Sequence, residues 1–187
     1  MTERGIEQWE HTQAELEIRH WLYSIGQWAP DAERLLPPSR EAAGVLSDEQ
    51  IDMVLSEEVV GRIGCHASGR TYVVPVLYVF DGNHVYGHTA EGQKLRMMRA
   101  NPQVCFEVEQ IDGLTEWRTV IATGQFEELH GPEADRAEEL LLERLKSAMA
   151  AGALQPVAPE RPASGEPRRA VVYRIALRER SGRFEKR

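Results

Sequence analysis

Between Val59 and Leu129 the hydrophobic period shortens to that of extended chain, and tight-turn signals recur at short intervals. Strands joined this closely can pair only as antiparallel neighbours, because parallel pairing needs a long crossover connection. Strands are predicted at 59–66, 71–80 and 83–88, separated by Ser68-Gly69 and by Asp81-Gly82-Asn83, which gives two hairpins. Val104, Phe106 and Val108 alternate with Cys105, Glu107 and Glu109 as in a half-buried strand. A long strand follows at about 117–129, and a last one is expected at 170–177. Six strands with short helices inserted are best closed into a barrel, which removes exposed edges. A doubly wound nucleotide fold is disfavoured, since helices do not alternate regularly with strands and no G-x-G-x-x-G turn is present.

Helix signals fall around this β region. Ser47 can cap a first turn while Gln50 reaches back, and Ile51, Val54 and Leu55 supply an apolar stripe. A short helix is expected near 91–100, ending before Pro102. Another runs over 132–150, with Pro132 in its first turn and Ala137, Leu140, Leu141, Leu145 and Met149 as its apolar face. Upstream, Ile18, Trp21, Leu22 and Ile25 fall at helical spacing within 8–28, whereas Pro30, Pro37 and Pro38 make 29–45 a connecting arm. The organisation is therefore an N-terminal helical extension and arm at 1–45 and a β-barrel domain at 46–187. Residues 155–167 read as a solvated loop, and the basic run 178–187 as a solvated tail.

Composition narrows the partners. Thirty acidic residues against 22 basic ones give a net charge of −8, which repels phosphate backbones and disfavours nucleic acid. No apolar run approaches the ~18 residues that would cross a bilayer, and Met1–Glu10 lacks a basic stretch followed by an apolar one, so a cytoplasmic location without a membrane partner is expected. Cys65 and Cys105 are expected to be buried, reduced thiols. His84 and His88 share a strand face without a third ligand at evident spacing, so no metal is assigned; His84 reads as a turn residue and His66 is ambiguous.

The segment 70–101 carries most of the chemistry. His88, Thr89, Gly92, Gln93 and Lys94 lie where a strand ends and a helix begins, so free amides, a hydroxyl and an ammonium can converge on an anion such as phosphate. The same pattern also suits a helix start with a surface lysine. Pro75 lacks an amide, which places it on an edge strand or where the ladder is interrupted by a ligand. Trp117 is a candidate for packing on a bound ring or for closing an interface between subunits.

The stretches GRIGCH (61–66), YVVPVLYVFDG (72–82), VYGHTAEGQKLRMMRANPQVCFEVE (85–109), WRTVIATGQFEEL (117–129) and YRIALRERSGR (173–183) resemble the pyridoxamine 5'-phosphate oxidase-like superfamily, especially its nitroimidazole-resistance branch. The resemblance covers about 46–150 with the final strand, and leaves the first 45 residues unexplained. It implies a split β-barrel that binds FMN at a homodimer interface and reduces a small oxidised compound, a nitroaromatic or quinone, with electrons from a nicotinamide. Carried onto matching positions, it implicates Val73, Val74, Pro75, Val76, His88, Thr89, Gln93 and Lys94 in cofactor binding. It also implicates Trp117, Arg118 and Thr119 from a neighbouring strand or the partner subunit. Thr119 stands where the family usually has serine. His88 and Arg118 are the candidates for proton donation or substrate binding. Two alternatives are a reductase using a deazaflavin coenzyme and a non-catalytic flavin- or haem-binding protein.

Overall fold

The computed structural model describes residues 43–113, 116–153 and 170–186. Eight strands occur in the order β1 (Ala43–Val45), β2 (Val60–Ala67), β3 (Arg70–Leu77), β4 (Val79–Phe80), β5 (His84–Ala90), β6 (Gln103–Gly113), β7 (Glu116–Glu128) and β8 (Ala170–Glu185). Three helices accompany them: α1 (Asp48–Glu57), α2 (Gln93–Ala100) and α3 (Pro132–Ala150). The helix proposed at 8–28 lies outside the described residues.

All pairings are antiparallel, and the sheet runs β3-β2-β6-β7-β8-β5-β4, with β1 added to β8. Its first and last members, β3 and β4, are consecutive in the chain and separated only by Tyr78. One stretch from Arg70 to Phe80 therefore borders both ends of the sheet and closes it into a split barrel. Its predicted strand at 71–80 is thus two strands that change partner. Tyr78 anchors the crossing: it is buried, its hydroxyl donates to Leu55 O (2.8 Å), and its ring meets Phe106 edge-on at 5.0 Å.

Inside the barrel, Ile63, Phe106, Val108, Val120 and Ile175 are fully buried, each on the inward parity of its strand. Beneath it, α1 starts with the expected capping box: Gln50 N–H donates to Ser47 Oγ (3.3 Å) and Ser47 N–H to Gln50 Oε1 (2.9 Å). The opposite end of α1 is capped from a distance, since Arg144 Nη2 on α3 donates to Ser56 O (2.7 Å) and Glu57 O (2.6 Å). A guanidinium suits the negative end of a helix. None of the helices among the described residues is long and apolar enough to cross a membrane.

Four expectations are corrected. The run 178–187 is not a solvated tail, because β8 continues to Glu185 and pairs with β7 from Arg180↔Ala122 to Glu185↔Trp117. Arg178 and Arg183 are exposed, half-buried Arg180 is ion-paired to Asp52 of α1, and Gly182 is buried against Leu46 and Ile51. The arm ends in β1, whose Ala43–Val45 pair with the same stretch of β8. Cys105 is exposed, because the alternation that buries Val104 and Phe106 turns it outward; Cys65 is buried as expected. Along α3, Ala137 and Leu141 are buried but Leu140 and Met149 are exposed, since only one narrow stripe of the helix meets the barrel.

Gly182 offers a direct test. A Cβ there would lie 2.7 Å from Leu46 Cδ1 and 3.0 Å from Ile51 Cγ1. Gly182→Val should lower stability by about 1–3 kcal/mol through overpacking, visible as a lower Tm in thermal unfolding; a truly solvated tail would show no change.

Candidate functional site

Among the described residues β3 has one unpaired edge, and the candidate site begins there. Tyr78 N–H donates to Val59 O (3.1 Å), and the register continues without a shift through Val76↔Gly61 and Val74↔Ile63. Alternate residues of an antiparallel strand turn their backbone groups to opposite edges. The amides of Val74 and Val76 are therefore committed to β2. On the free edge stand the N–H and carbonyl of Val73 and the carbonyl of Pro75. Pro75 thus costs the ladder nothing, and the strand keeps a short row of donor and acceptors available to a ligand. Side chains alternate too: Val76 is buried, whereas Val73 is 58 % exposed on the outer face.

The helix α2 packs against β2, the strand paired with β3. Gly92 is its N-cap and supplies no side-chain hydrogen bond, and no acidic residue occupies the first turn, so the leading amides are available to an anion. Glu91 does not neutralise them: its carboxylate is held by Arg99 (2.9 Å), which also binds Glu128 (2.5 Å). Lys94 sits in the first turn, half-buried, with its Nζ 5.8 Å from the centroid of the Tyr173 ring. Burial holds the Lys94 ammonium below its usual pKa, and the influence that opposes this comes from Cys65. Burial in turn pushes the Cys65 thiol up, so it stays protonated. Cys65 Sγ is 3.5 Å from Tyr72 O, on the side of β3 that faces β2.

The predicted residues distribute as follows. Val73–Val76 lie on β3, Thr89 near the end of β5, and Gln93 and Lys94 in the first turn of α2. Thr89 is half-buried and its hydroxyl donates to Ala90 O (3.2 Å), Gln93 is exposed, and His88 is exposed on the face of β5 opposite Gly87. His84, taken as a simple turn residue, is half-buried and 3.4 Å from Asp81. Trp117, Arg118 and Thr119 are elsewhere. Tyr173 of the Lys94 cluster pairs with Glu128, eleven positions along β7 from Trp117, which is about 36 Å of extended chain. There Arg118 donates to Gln110 Oε1 (3.2 Å), Thr119 Oγ1 is 3.4 Å from Val108 O, and the buried Trp117 Nε1 has no partner among the described residues.

Between these two ends the outer face of the sheet carries an open groove of about 630 Å³, with Gly64, Val73, Cys105, Ile121 and Thr123 along its floor. Its lining is largely apolar, and Ile121 is 48 % exposed within it. Among the described residues no group of three His, Cys, Asp or Glu side chains is placed to hold a metal ion.

Two participants escaped sequence reasoning. Tyr173 reads as an ordinary strand residue, and Gly87 as a loose point in a strand. Together they are a matched pair across β5 and β8: a Cβ at Gly87 would fall 2.4 Å from the Tyr173 hydroxyl. The signal was present, because a glycine inside a strand marks close approach by something else.

Residues 47–184 match the pyridoxamine 5'-phosphate oxidase family, and the chain belongs to it. An uncharacterized protein of Rhizobium meliloti is 30 % identical over 120 residues, covering 62 % of this chain and 80 % of that protein. Among solved structures, a FAD-binding protein from Mesorhizobium loti is 27 % identical with a TM-score of 0.61, covering 78 % of this chain and 98 % of that one. A Bacteroides thetaiotaomicron protein, provisionally described as conferring 5-nitroimidazole antibiotic resistance, shares the fold at 16 % identity and a TM-score of 0.58, over 76 % of this chain and 87 % of that one.

The residues fit the phosphate end of a flavin nucleotide. Among the described residues, an uncapped helix start, a half-buried ammonium without a carboxylate partner and a free strand edge are donors that suit a phosphorylated, hydrogen-bonding ring compound. A half-buried ammonium is also a burden on the fold. Its pKa is lowered in the folded state, so between that lowered value and the ordinary one near 10.5 the unfolded chain binds more protons and stability rises with pH. Lys94→Met should therefore raise Tm at neutral pH in phosphate-free buffer and flatten the rise in Tm on the alkaline side, measured by calorimetry from pH 7 upwards.

Proposed function

We propose that this chain is an FMN-dependent oxidoreductase that takes electrons from a nicotinamide and reduces a small, flat oxidised acceptor of the nitroaromatic or quinone class. One observation carries the reading: the Lys94 ammonium is half-buried, lacks a carboxylate partner among the described residues, and stands at the uncapped start of a helix that packs on β2. A phosphate dianion supplies the missing counter-charge. The 27 % identical relative is a FAD-binding protein, which supports a flavin as the ligand class.

In this reading Lys94, the amides of the α2 start and Thr89 hold the phosphate. The N–H of Val73 and the carbonyls of Val73 and Pro75 meet the polar edge of the flavin ring, and the apolar groove receives the flat acceptor. FMN, when bound, supplies the capacity to accept hydride and pass electrons on. The chain's own residues bind, orient and exclude water, and no side-chain acid or base is indispensable. His88 and Arg118 remain the groups best suited to bind an anionic acceptor or give up a proton.

The proposal includes a homodimer. Trp117, Arg118 and Thr119 are too far along β7 to reach the Lys94 cluster of their own chain, so in this reading they complete the site of a second copy. The exposed Val73 and Ile121 would be covered in such an assembly. Protein purified without added cofactor should be titrated with FMN while its visible absorption is followed. FMN should bind, and Lys94→Ala should weaken binding by about 10- to 100-fold, the worth of one charge-assisted hydrogen bond. Saturation by a deazaflavin coenzyme or a haem Soret band, with no response to FMN, would overturn the assignment.

A further inference from the structure

The Lys94 ammonium is held by a ring and not by a charge. A half-buried cation is ordinarily stabilised by a carboxylate, which also cancels it. Here the described residues place no carboxylate against Lys94, whose pKa is lowered by burial. What lies beneath it is the face of Tyr173, 5.8 Å from Nζ to centroid. A π face attracts a cation through its quadrupole and carries no net charge. The ammonium is thereby positioned while its full charge stays available to an incoming anion.

Tyr173 is built to act as a fixed platform. It is fully buried, its ring packs against Phe126 at 5.6 Å, and its hydroxyl end fills the space that Gly87 leaves open on the paired strand. No donor or acceptor among the described residues engages that hydroxyl, so packing alone fixes the ring. We infer that Tyr173 is the positioning residue of the anion site, holding Lys94 un-neutralised at the start of α2 so that the site selects the phosphorylated form of its ligand over the dephosphorylated one. The inference rests on the flavin reading above and adds to it the source of phosphate selectivity.

The test compares wild type, Tyr173→Phe and Tyr173→Leu by the ratio of riboflavin Kd to FMN Kd. Alongside, the Lys94 ε-methylene resonance is measured in ligand-free, ¹³C-lysine-labelled protein. Tyr173→Leu should lose about tenfold in FMN affinity with riboflavin affinity unchanged, whereas Tyr173→Phe, which keeps the π face, should match wild type. In wild type and Tyr173→Phe the Lys94 resonance should be shifted upfield by the ring current relative to those of Lys146 and Lys186. A folded Tyr173→Leu protein with the wild-type ratio overturns the inference while leaving the flavin reading intact, and so does an unshifted Lys94 resonance. Should Tyr173→Leu fail to fold, the resonance in wild type and Tyr173→Phe decides alone. A wild-type protein that binds neither flavin overturns both the reading and the inference.

Discussion

The whole structure depends on one strand serving two partners. From Arg70 to Leu77 the chain pairs with β2, and after Tyr78 it pairs with β5. A tyrosine does this well because it can bury a large ring at the crossing and still satisfy its hydroxyl, here on Leu55 O. The barrel closes, yet β3 keeps one edge without a neighbour. An unpaired edge is a liability that proteins blunt with proline or cover with a partner. In this chain Pro75 removes a donor from that edge, and what remains is a donor and two carbonyls suited to a ring compound. Closure and binding surface come from the same residue-level event.

Electrostatics reinforce the location. In a chain with a net charge of −8, a site for an anion requires that nearby carboxylates be drawn away. Arg99 does this on the outward side of α2, binding Glu91 and Glu128 together; their charge raises its pKa, and the guanidinium lowers that of Glu128. Exposed pairs of this kind add little to stability. Their effect is spatial, since Glu91 would otherwise stand at the helix start beside Lys94. Among the described residues, the carboxylates nearest the start of α2 are thus drawn to Arg99.

Legibility in the sequence followed how local the determining interaction was. The capping box of α1 and the proline start of α3 involve neighbours along the chain, and both stand where the sequence placed them. The alternation of Val104, Phe106 and Val108 likewise specified an inward face, although its corollary, an exposed Cys105, went against that residue's usual preference for burial. Long-range facts were hidden. Arg178–Glu185 looked like a polar tail because its pairing partner, Trp117–Ala122, is some sixty residues distant, and a strand that carries Arg180 on the same face as Gly182 and Phe184 shows no apolar alternation. Of the candidate site, the Lys94 turn could be read from residue types in sequence. That Trp117 lies at the far end of β7 could not, because strand order decides it.

The remaining polar anomalies point back to the same places. Buried polar atoms are nearly always paired, and an unpaired one costs about 1–3 kcal/mol. Among the described residues, Trp117 Nε1 and Tyr173 Oη are buried without a partner. Phenylalanine at either position would avoid that cost and keep most of the apolar area. One of these atoms stands at the Lys94 cluster and the other at the opposite end of β7, the two regions that the cofactor reading joins across a pair of chains. Lys94 adds a third cost of the same kind, a charge kept half out of water with no countercharge among the described residues. Costs of this sort are retained where a ligand or a second subunit offsets them, and an isolated, ligand-free protomer is left holding all three.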